Sequence, residues 1–241
     1  MKHLLVLSLF LLSFCASTKT GAQSRQDKFD YRKMYESVIG EYGFDQVLFN
    51  GVIFEDEYLK KVGHQFFPDD KLYTGTLMYR GTEYKRIEMK YDICNQQLIL
   101  YLKHNYLTVG IVPSNDFIAT FSLGDKIFSK YSFEGEPRFY EVVFDSDKLE
   151  CLYYWSKKVQ GIPGSGVLNY YHYEFTDSKR KCYLKLNGSF EKYSNNRSFT
   201  DLFPPETRNM IRQYIITNHI KVAKSSDERI TGLLTYCNSL L

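Results

Sequence analysis

Histidines and carboxylates are the first side chains to test for chemistry, because they supply most metal ligands and acid–base groups. Beyond residue 22 the chain has four histidines, at positions 64, 104, 172 and 219, and none has the His-Glu-x-x-His spacing of a zinc site. The best local set is Tyr170, His172 and Glu174, which strand alternation places on one face. His172 and Glu174 could hold a metal or move a proton. A metal site needs further ligands, so the solvated face of an ordinary strand is the preferred interpretation, and no metal, cofactor or catalytic residue is predicted.

Two other segments could carry chemistry. His64 shares a loop-like segment with Asp69 and Asp70, from which a general base and an orienting carboxylate could be built, although such trios arise often by chance. The Gly-Ser-Gly at residues 164–166 lacks the spacing of a nucleophile elbow and is interpreted as a turn. Phosphate-binding and dinucleotide-binding glycine patterns are absent from the sequence. The sequence therefore nominates no reaction centre.

Aromatic residues make up 17% of the chain, including 21 Tyr, 18 Phe and a single Trp. They cluster at Tyr153-Tyr154-Trp155 and again at residues 170–173. Exposed Tyr and Trp side chains on a rigid sheet can stack on sugar rings or anchor a protein partner. The competing interpretation is that one face of each strand packs in the core. The candidate binding residues are Tyr153, Trp155, Tyr170, His172 and Glu174.

The N-terminus predicts export. A short basic start precedes an apolar run at residues 4–14, and Thr20-Gly21-Ala22 fits a signal-peptidase site, so residues 1–22 are predicted to be a signal peptide. A lipid anchor at Cys15 is the less favoured alternative, because bulky Phe14 precedes it. The mature protein is expected to be periplasmic or extracellular. No later segment reaches the 18 or so apolar residues of a membrane span, so no integral membrane span is predicted.

Charge and cysteine content limit the partners. Cleavage of the signal would take the basic residues from 31 to 29 against 28 acidic residues, so neither nucleic acid nor an anionic membrane surface is an expected partner. Four cysteines remain, at positions 94, 151, 182 and 237. Their long, irregular spacings exclude a Cys-x-x-Cys site. Export permits disulfides, but buried free thiols are the preferred interpretation.

Alternation of apolar and polar residues predicts consecutive antiparallel strands over residues 72–104. Ile87, Met89 and Tyr91 point one way, and the intervening charged residues point the other. Similar patterns predict strands at 107–112, 117–123, 126–133, 138–144 and 149–155. A loop is predicted at residues 160–166, and a hairpin is predicted between 167–175 and 181–186.

The two ends of the chain have helical patterns. Residues 26–40 predict a short N-terminal helix. Near the C-terminus, Pro204-Pro205 begins a 3.6-residue apolar pattern, and Ser225 with Glu228 forms a capping-box signature before a second apolar stripe. The predicted fold of residues 23–241 is one mainly β domain, an antiparallel open barrel or strongly curved sheet of roughly ten strands. The short N-terminal helix and two C-terminal helices, within residues 199–241, complete this fold.

Several segments carry a resemblance to a known group of proteins. These are the signal followed by Gln23, the hairpin Tyr-Thr-Gly-Thr-Leu-Met-Tyr-Arg-Gly with Met-Lys-Tyr-Asp-Ile-Cys-Asn-Gln-Gln-Leu-Ile-Leu, and the closing helices from Leu202-Phe203-Pro204 to Leu234-Thr235-Tyr236-Cys237. Together they resemble secreted β-rich proteins of Bacteroidetes, a group without an assigned activity. The resemblance implies export and a β-rich fold, and it transfers no functional residues.

Three functions follow as hypotheses. The first is a non-enzymatic exported or envelope-associated protein that binds a protein, glycan or lipid through aromatic residues. The second is a secreted hydrolase whose residues converge from distant strands. The third is a structural or assembly component of the cell envelope. Oligomeric state is left open by the sequence.

Overall fold

The computed structural model describes residues 51–58, 60–104, 107–163, 171–186 and 188–241. The predicted signal peptide, the N-terminal helix and Tyr170 lie outside these ranges, as do residues 164–166 of the predicted loop. The described part is mainly β, as predicted. In chain order its strands are β1 (Gly51–Ile53), β2 (Lys61–Val62), β3 (Phe66–Phe67), β4 (Tyr73–Tyr79), β5 (Thr82–Asp92), β6 (Gln97–His104), β7 (Leu107–Pro113), β8 (Ile118–Leu123), β9 (Lys126–Tyr131), β10 (Arg138–Asp145), β11 (Glu150–Ser156), β12 (Val159–Pro163), β13 (Tyr171–Phe175), β14 (Lys179–Leu186) and β15 (Ser189–Tyr193).

Twelve of these strands form one antiparallel sheet. Its order is β1-β7-β6-β5-β4-β8-β9-β10-β11-β14-β15, and β3 pairs with β5 beside this path. The terminal strands of the order, β1 and β15, do not pair with each other within the described residues, so the sheet is open. The remaining strands form a small sheet, β12-β13-β2, in which β13 and β2 run parallel. The prediction of a mainly antiparallel sheet is confirmed, while roughly ten strands was too few.

The strand alternation predicted for β5 is present in the structure. Met89 and Tyr91 are buried, and Arg86 on the other face is exposed. Arg86 has a positive φ of 58°, and it lies where the β4–β5 register shifts between Gly75 and Thr76. This β-bulge increases the local twist of the sheet. The hairpin of β4 and β5 therefore has one buried face and one solvent-exposed face, as the sequence predicts.

Ring contacts show that the sheet is strongly curved. Tyr91 on β5 packs against Phe139 on β10 with ring centroids 6.1 Å apart, although three strands lie between them in the sheet order. In a flat sheet four strand spacings would separate them by about 19 Å. Phe121 and Phe128 fill the space between, stacked at 5.0 Å. The side chains on the concave face of the sheet therefore pack together as an aromatic core.

Three helices cover a different part of the sheet. They are α1 (Asn196–Asp201), α2 (Pro205–Thr217) and α3 (Asp227–Ser239). Buried residues of the helices pack on the faces of β11, β14 and β15 in a core that includes Cys151, Tyr153, Leu184, Tyr193, Phe199, Ile211, Ile215, Leu233, Leu234 and Cys237. Among the described helices, none combines the length and apolar character needed to cross a bilayer.

The predicted pair of C-terminal helices is present, but helix placement differs from the prediction. The additional helix α1 begins at Asn196 and has a true capping box, in which Asn195 accepts from the backbone of Ser198 at 2.9 Å. The predicted box at Ser225 does not form. Helix α3 begins at Asp227 without a side-chain cap, and Ser225 Oγ accepts from the backbone N–H of Lys221 at 3.0 Å. The hydroxyl of Ser225 therefore takes part in a local turn and does not form the helix cap that the sequence pattern predicted.

Two predictions around residue 160 were wrong. Residues 160–163 of the predicted loop belong to β12, which pairs antiparallel with β13. The predicted hairpin partner of β13, the segment at 181–186, instead belongs to β14 and pairs with β11 and β15. The sequence predicts a loop at Gly161 and Pro163, but strand β12 accommodates both. Among the described strands β12 pairs with β13 alone, and proline is tolerated in such edge strands.

Thiol chemistry gives a first test of this packing. All four described cysteines are free, and only Cys94 is partly exposed. Burial raises the pKa of Cys151 to about 12, that of Cys182 to about 11 and that of Cys237 to about 12. Burial also raises the pKa of Cys94, so partial exposure is what distinguishes this thiol from the other three. Because the thiolate must also be accessible to react, we expect a thiol reagent to label one cysteine of the native protein lacking residues 1–22 and four in denaturant. A Cys94→Ser variant should then show no rapid native labelling. Rapid labelling of a second native thiol would contradict the buried placement of the other three.

Candidate functional site

Strand β11 carries the aromatic run with the predicted binding residues Tyr153 and Trp155, and it places alternate members of the run on opposite faces. Tyr153 is fully buried at 0% exposure beneath the helices. Trp155 is half-buried on the same side, with its ring 4.9 Å from that of Phe67. Tyr154 faces the opposite side of the sheet, where it packs with Tyr140. The structure therefore puts Tyr153 in the core, where it offers no exposed surface, and leaves Tyr154 on the face away from the helices.

The polar end of Trp155 is used inside the protein. Trp155 Nε1 donates to Glu141 Oε2 at 2.5 Å, and Lys126 Nζ donates to Glu141 Oε1 at 2.6 Å. Lys126 also bonds Asp227 at 2.6 Å, at the first residue of α3. Burial alone would lower the pKa of Lys126, but the bonds to Asp227 and Glu141 outweigh it and raise that pKa. We call Glu141, Lys126, Trp155 and Asp227 the Glu141 network, and it joins the sheet to α3.

His172 and Glu174 lie together on β13 as alternation predicted. Their side chains approach to 3.4 Å and remain 34% and 50% exposed. The described residues contain no group of three or more His, Cys, Asp or Glu side chains able to hold a metal ion. The contact is therefore an exposed pair on a small sheet, and its predicted binding role stays a prediction.

His64 is also held by neighbours other than the predicted carboxylates. Its Nδ1 accepts from the backbone N–H of Phe66 at 3.2 Å, and Lys157 Nζ lies 3.3 Å from the same atom. Burial and the Lys157 charge lower the pKa of His64. Asp69 and Asp70 pair instead with Lys71 and Lys90. The structure thus does not form the base and carboxylate pair considered from the sequence.

A polar cavity is lined by residues from both faces of the sheet, including Phe139 from the concave face and Tyr154 from the other. Its volume is about 590 Å³, within the 300–1,000 Å³ range of small-molecule sites. We call it the Tyr154 cavity, and it is lined by Asn95, Gln96, Asn115, Asp116, Lys130, Glu136, Pro137, Arg138, Phe139 and Tyr154. Seven of these ten residues are polar or charged. The lining favours a polar ligand over a lipid chain.

Separate elements hold the walls of this cavity in place. Gln96, in the turn between β5 and β6, donates to the backbone oxygens of Ile93 at 2.8 Å and Trp155 at 3.0 Å. Its side-chain oxygen accepts from Tyr91 at 2.8 Å. Asn115 begins a single 3-10 turn between β7 and β8 and donates through Nδ2 to the Gln96 backbone oxygen at 2.8 Å. These bonds tie the two turns to each other and to β11.

Three polar groups in the cavity walls are left incompletely paired. Asn115 Oδ1 is buried and has no hydrogen-bond partner within the described residues. Lys130 donates to the Asn115 backbone oxygen, and burial lowers its pKa. Arg138 lies 5.4 Å above the Tyr154 ring. Across the described ranges, neither Lys130 nor Arg138 forms an ion pair with a carboxylate. The cavity is the candidate site because two cations without an ion pair among the described residues line the same polar space.

A second cavity, of about 530 Å³, is lined by none of the described residues that have a buried polar side-chain atom without a hydrogen-bond partner. Its most buried charge is Glu150, at 7% exposure. Glu150 accepts from Tyr131 through one oxygen and from Lys185 at 3.2 Å through the other. Its carboxylate is already paired inside the protein, so this cavity is a weaker candidate.

Sequence reasoning missed most of the Tyr154 cavity. The signal available was the Tyr153-Tyr154-Trp155 run, which identified the right strand. No local sequence pattern links Asn115, Lys130 and Arg138, because these residues lie on different elements. No protein-family model, curated protein or solved structure matches the chain. The function must therefore be argued from the residues of the site.

Proposed function

We propose that this is an exported, non-enzymatic binding protein that holds a small polar ligand in the Tyr154 cavity. The observation that carries the proposal is a preformed cavity of about 590 Å³, lined mostly by polar or charged residues, among which Lys130 and Arg138 form no ion pair with another described residue. Cations without an ion partner can give a polar ligand charge-assisted hydrogen bonds. The predicted export places such a ligand outside the cytoplasm.

A glycan is the ligand class that this cavity supports best among those expected from the sequence. Amide and charged side chains can bond sugar hydroxyls, and seven of the ten residues that line the cavity carry such groups. A lipid would leave the charged walls without partners. A large protein interface does not need an enclosed space of this kind.

The proposal is tested by filling the cavity. Glu136 is exposed and lies among the cavity-lining residues, so Glu136→Trp should block entry without disturbing the core. On a glycan array, we expect the unaltered mature protein to retain a subset of sugars and Glu136→Trp to lose them. Glu228→Trp is the matched control, because Glu228 is exposed on α3 and is absent from the cavity lining.

Two array results would oppose the proposal. Equal retention by Glu136→Trp and the unaltered protein would place the sugar elsewhere. Retention of no glycan would remove the proposed ligand class. A Trp155→Ala change is a poorer test, because Trp155 packs on Phe67 and donates to Glu141. Its loss would alter the fold as well as any ligand contact.

A further inference from the structure

Two cations share one aromatic ring on the side of the sheet that faces away from the helices. Lys181 on β14 lies opposite Tyr154 on β11 in the strand register. Lys181 Nζ lies 5.5 Å from the centroid of the Tyr154 ring, and Arg138 Cζ on β10 lies 5.4 Å from the same centroid. Tyr154 belongs to an aromatic cluster that is separate from the helix core. Arg138 and Lys181 therefore lie on one face of the sheet, on either side of β11.

Two more lysines lie on this face because of the strand pairing. Lys179 precedes Lys181 by two residues on β14, so both side chains point the same way. Lys192 on β15 lies opposite Tyr183, a member of the same aromatic cluster as Tyr154. From the rise along a strand and the spacing between strands, neighbouring cations are about 7–10 Å apart at the backbone. We call Arg138, Lys179, Lys181 and Lys192 the basic face.

The charges of the basic face are not balanced within the protein. The three lysines are exposed and Arg138 is half-buried, and none of the four forms an ion pair with another described residue. Lys185, further along β14, differs because it pairs with Glu150 at 3.2 Å. Glu134 accepts from Tyr183 Oη at 2.8 Å. Neighbouring like charges repel each other, so this arrangement costs stability unless an anion from outside screens it.

The surroundings of these cations limit the class of the anion. Tyr154 and Tyr183 are only 8% and 1% exposed, so their rings cannot stack on bases, as the aromatic side chains of single-strand nucleic-acid sites do. The exposed large hydrophobic residues of the described ranges all lie outside β10, β11, β14 and β15. The basic face therefore lacks the apolar anchors of a protein interface and the apolar side chains that insert into a membrane. A polar chain that repeats its negative charge suits it best.

We infer that the basic face binds an acidic polysaccharide, whose repeated carboxylates contact the four cations. Each cation can donate charge-assisted hydrogen bonds, and contacts spaced along one chain strengthen each other through a high effective concentration. Of the four, only Arg138 also lines the Tyr154 cavity. The surface therefore goes beyond the small-ligand site of the proposed function, and the three lysines allow it to be tested separately.

Binding of polygalacturonate to the protein lacking residues 1–22 tests the inference. We expect polygalacturonate to bind at least tenfold more tightly than neutral galactan. Its affinity should fall by about tenfold or more between about 50 and 200 mM salt, because salt opposes the release of counterions. The triple variant Lys179→Gln, Lys181→Gln, Lys192→Gln should lose at least tenfold in affinity at the lower salt concentration, and its salt dependence should become weaker.

A second triple variant controls for the loss of charge. Lys221→Gln, Lys224→Gln, Arg229→Gln removes three positive charges from exposed positions at and before α3, and it should bind polygalacturonate like the unaltered protein. The melting temperature separates recognition from folding. The basic-face variant should melt at the same temperature as the unaltered protein or higher, because its substitutions remove repulsion between like charges.

Several outcomes would overturn the inference. Equal loss of affinity in the two triple variants would show a general charge effect without a defined surface. Tighter binding of polyglutamate, of a DNA duplex, or of vesicles with equal parts phosphatidylglycerol and phosphatidylcholine would assign the basic face to another partner. Absence of polygalacturonate binding at low salt would remove the polysaccharide as its ligand.

The cavity variant distinguishes this inference from the proposed function. Glu136→Trp fills the Tyr154 cavity and leaves the three lysines unchanged, so it should retain polygalacturonate. Loss of polygalacturonate in Glu136→Trp would place the chain in the cavity and overturn the separate surface. If the glycan array shows no ligand that Glu136→Trp blocks, while polygalacturonate binding depends on the three lysines, the proposed function fails and the basic face stands.

Discussion

Replacing Gly75 with alanine should destabilise the protein by about 3 kcal/mol, the upper end of ordinary overpacking costs. A Cβ at this position would lie 1.8 Å from the backbone oxygen of Ser122 and 2.9 Å from Ser122 Oγ. The obstructing atom belongs to β8, which is hydrogen-bonded to β4 two residues further along, at Leu77 and Phe121. Because β4 and β8 are paired, neither strand can move away without breaking that pairing. The Gly75→Ala substitution must therefore separate β4 from β8 beside the β4–β5 bulge.

Urea unfolding followed by the fluorescence of Trp155 measures this change, since the chain has a single tryptophan. Gly232→Ala provides the control, because a Cβ on this helical glycine would meet only Tyr214 Oη at 3.9 Å. It should stabilise the protein by about 0.5–1 kcal/mol through helix propensity. A Gly75→Ala variant within about 1 kcal/mol of the unaltered protein would show that the two strands can separate more easily than the structure indicates.

The strands were predictable because their signal is local. A period of two in β5 requires only that one face be dry, and Met89 and Tyr91 are indeed buried. The sequence did not predict strand β12, because Gly161 and Pro163 are strong turn formers. These residues lie in a strand because β12 pairs with β13, and the local sequence pattern does not show that pairing. Helix α1 was missed because six residues are too few to show a helical period.

The candidate site shows a different limit. Alternation separates Tyr154 from Tyr153 and Trp155, but it does not reveal which face the helices cover. The predicted binding residues Tyr153 and Trp155 lie on the covered side, whereas the cavity takes lining residues from both faces of the sheet. The pairing of β9 with β10 sets Lys130 opposite Phe139 and Arg138 opposite Tyr131, so the two cations line the cavity from different faces. Asn115 contacts Lys130 from a turn that is distant in sequence.

The second large effect is expected at Glu141, the most buried member of the Glu141 network at 3% exposure. Glu141→Leu would leave Trp155 Nε1 without its acceptor and remove one of the two carboxylates that bond Lys126. Breaking a fully buried ion pair costs about 3–5 kcal/mol, and the 24% exposure of Lys126 reduces that figure to about 2–3 kcal/mol. Glu141→Gln keeps the shape of the side chain and one acceptor oxygen, so it should lower the free energy of unfolding by about 1–2 kcal/mol.

The fluorescence emission of Trp155 shows whether the loss of stability in Glu141→Leu arises at the Glu141 network. Native-state emission should shift in Glu141→Leu before any unfolding, because the indole N–H changes its partner. Glu83→Leu is the control, since Glu83 forms an exposed pair with Lys85 at 3.2 Å, and such pairs contribute less than about 1 kcal/mol. If Glu141→Leu matches this control in stability, the sheet and α3 are held by the apolar core alone. The buried carboxylate would then have to be explained by something other than stability.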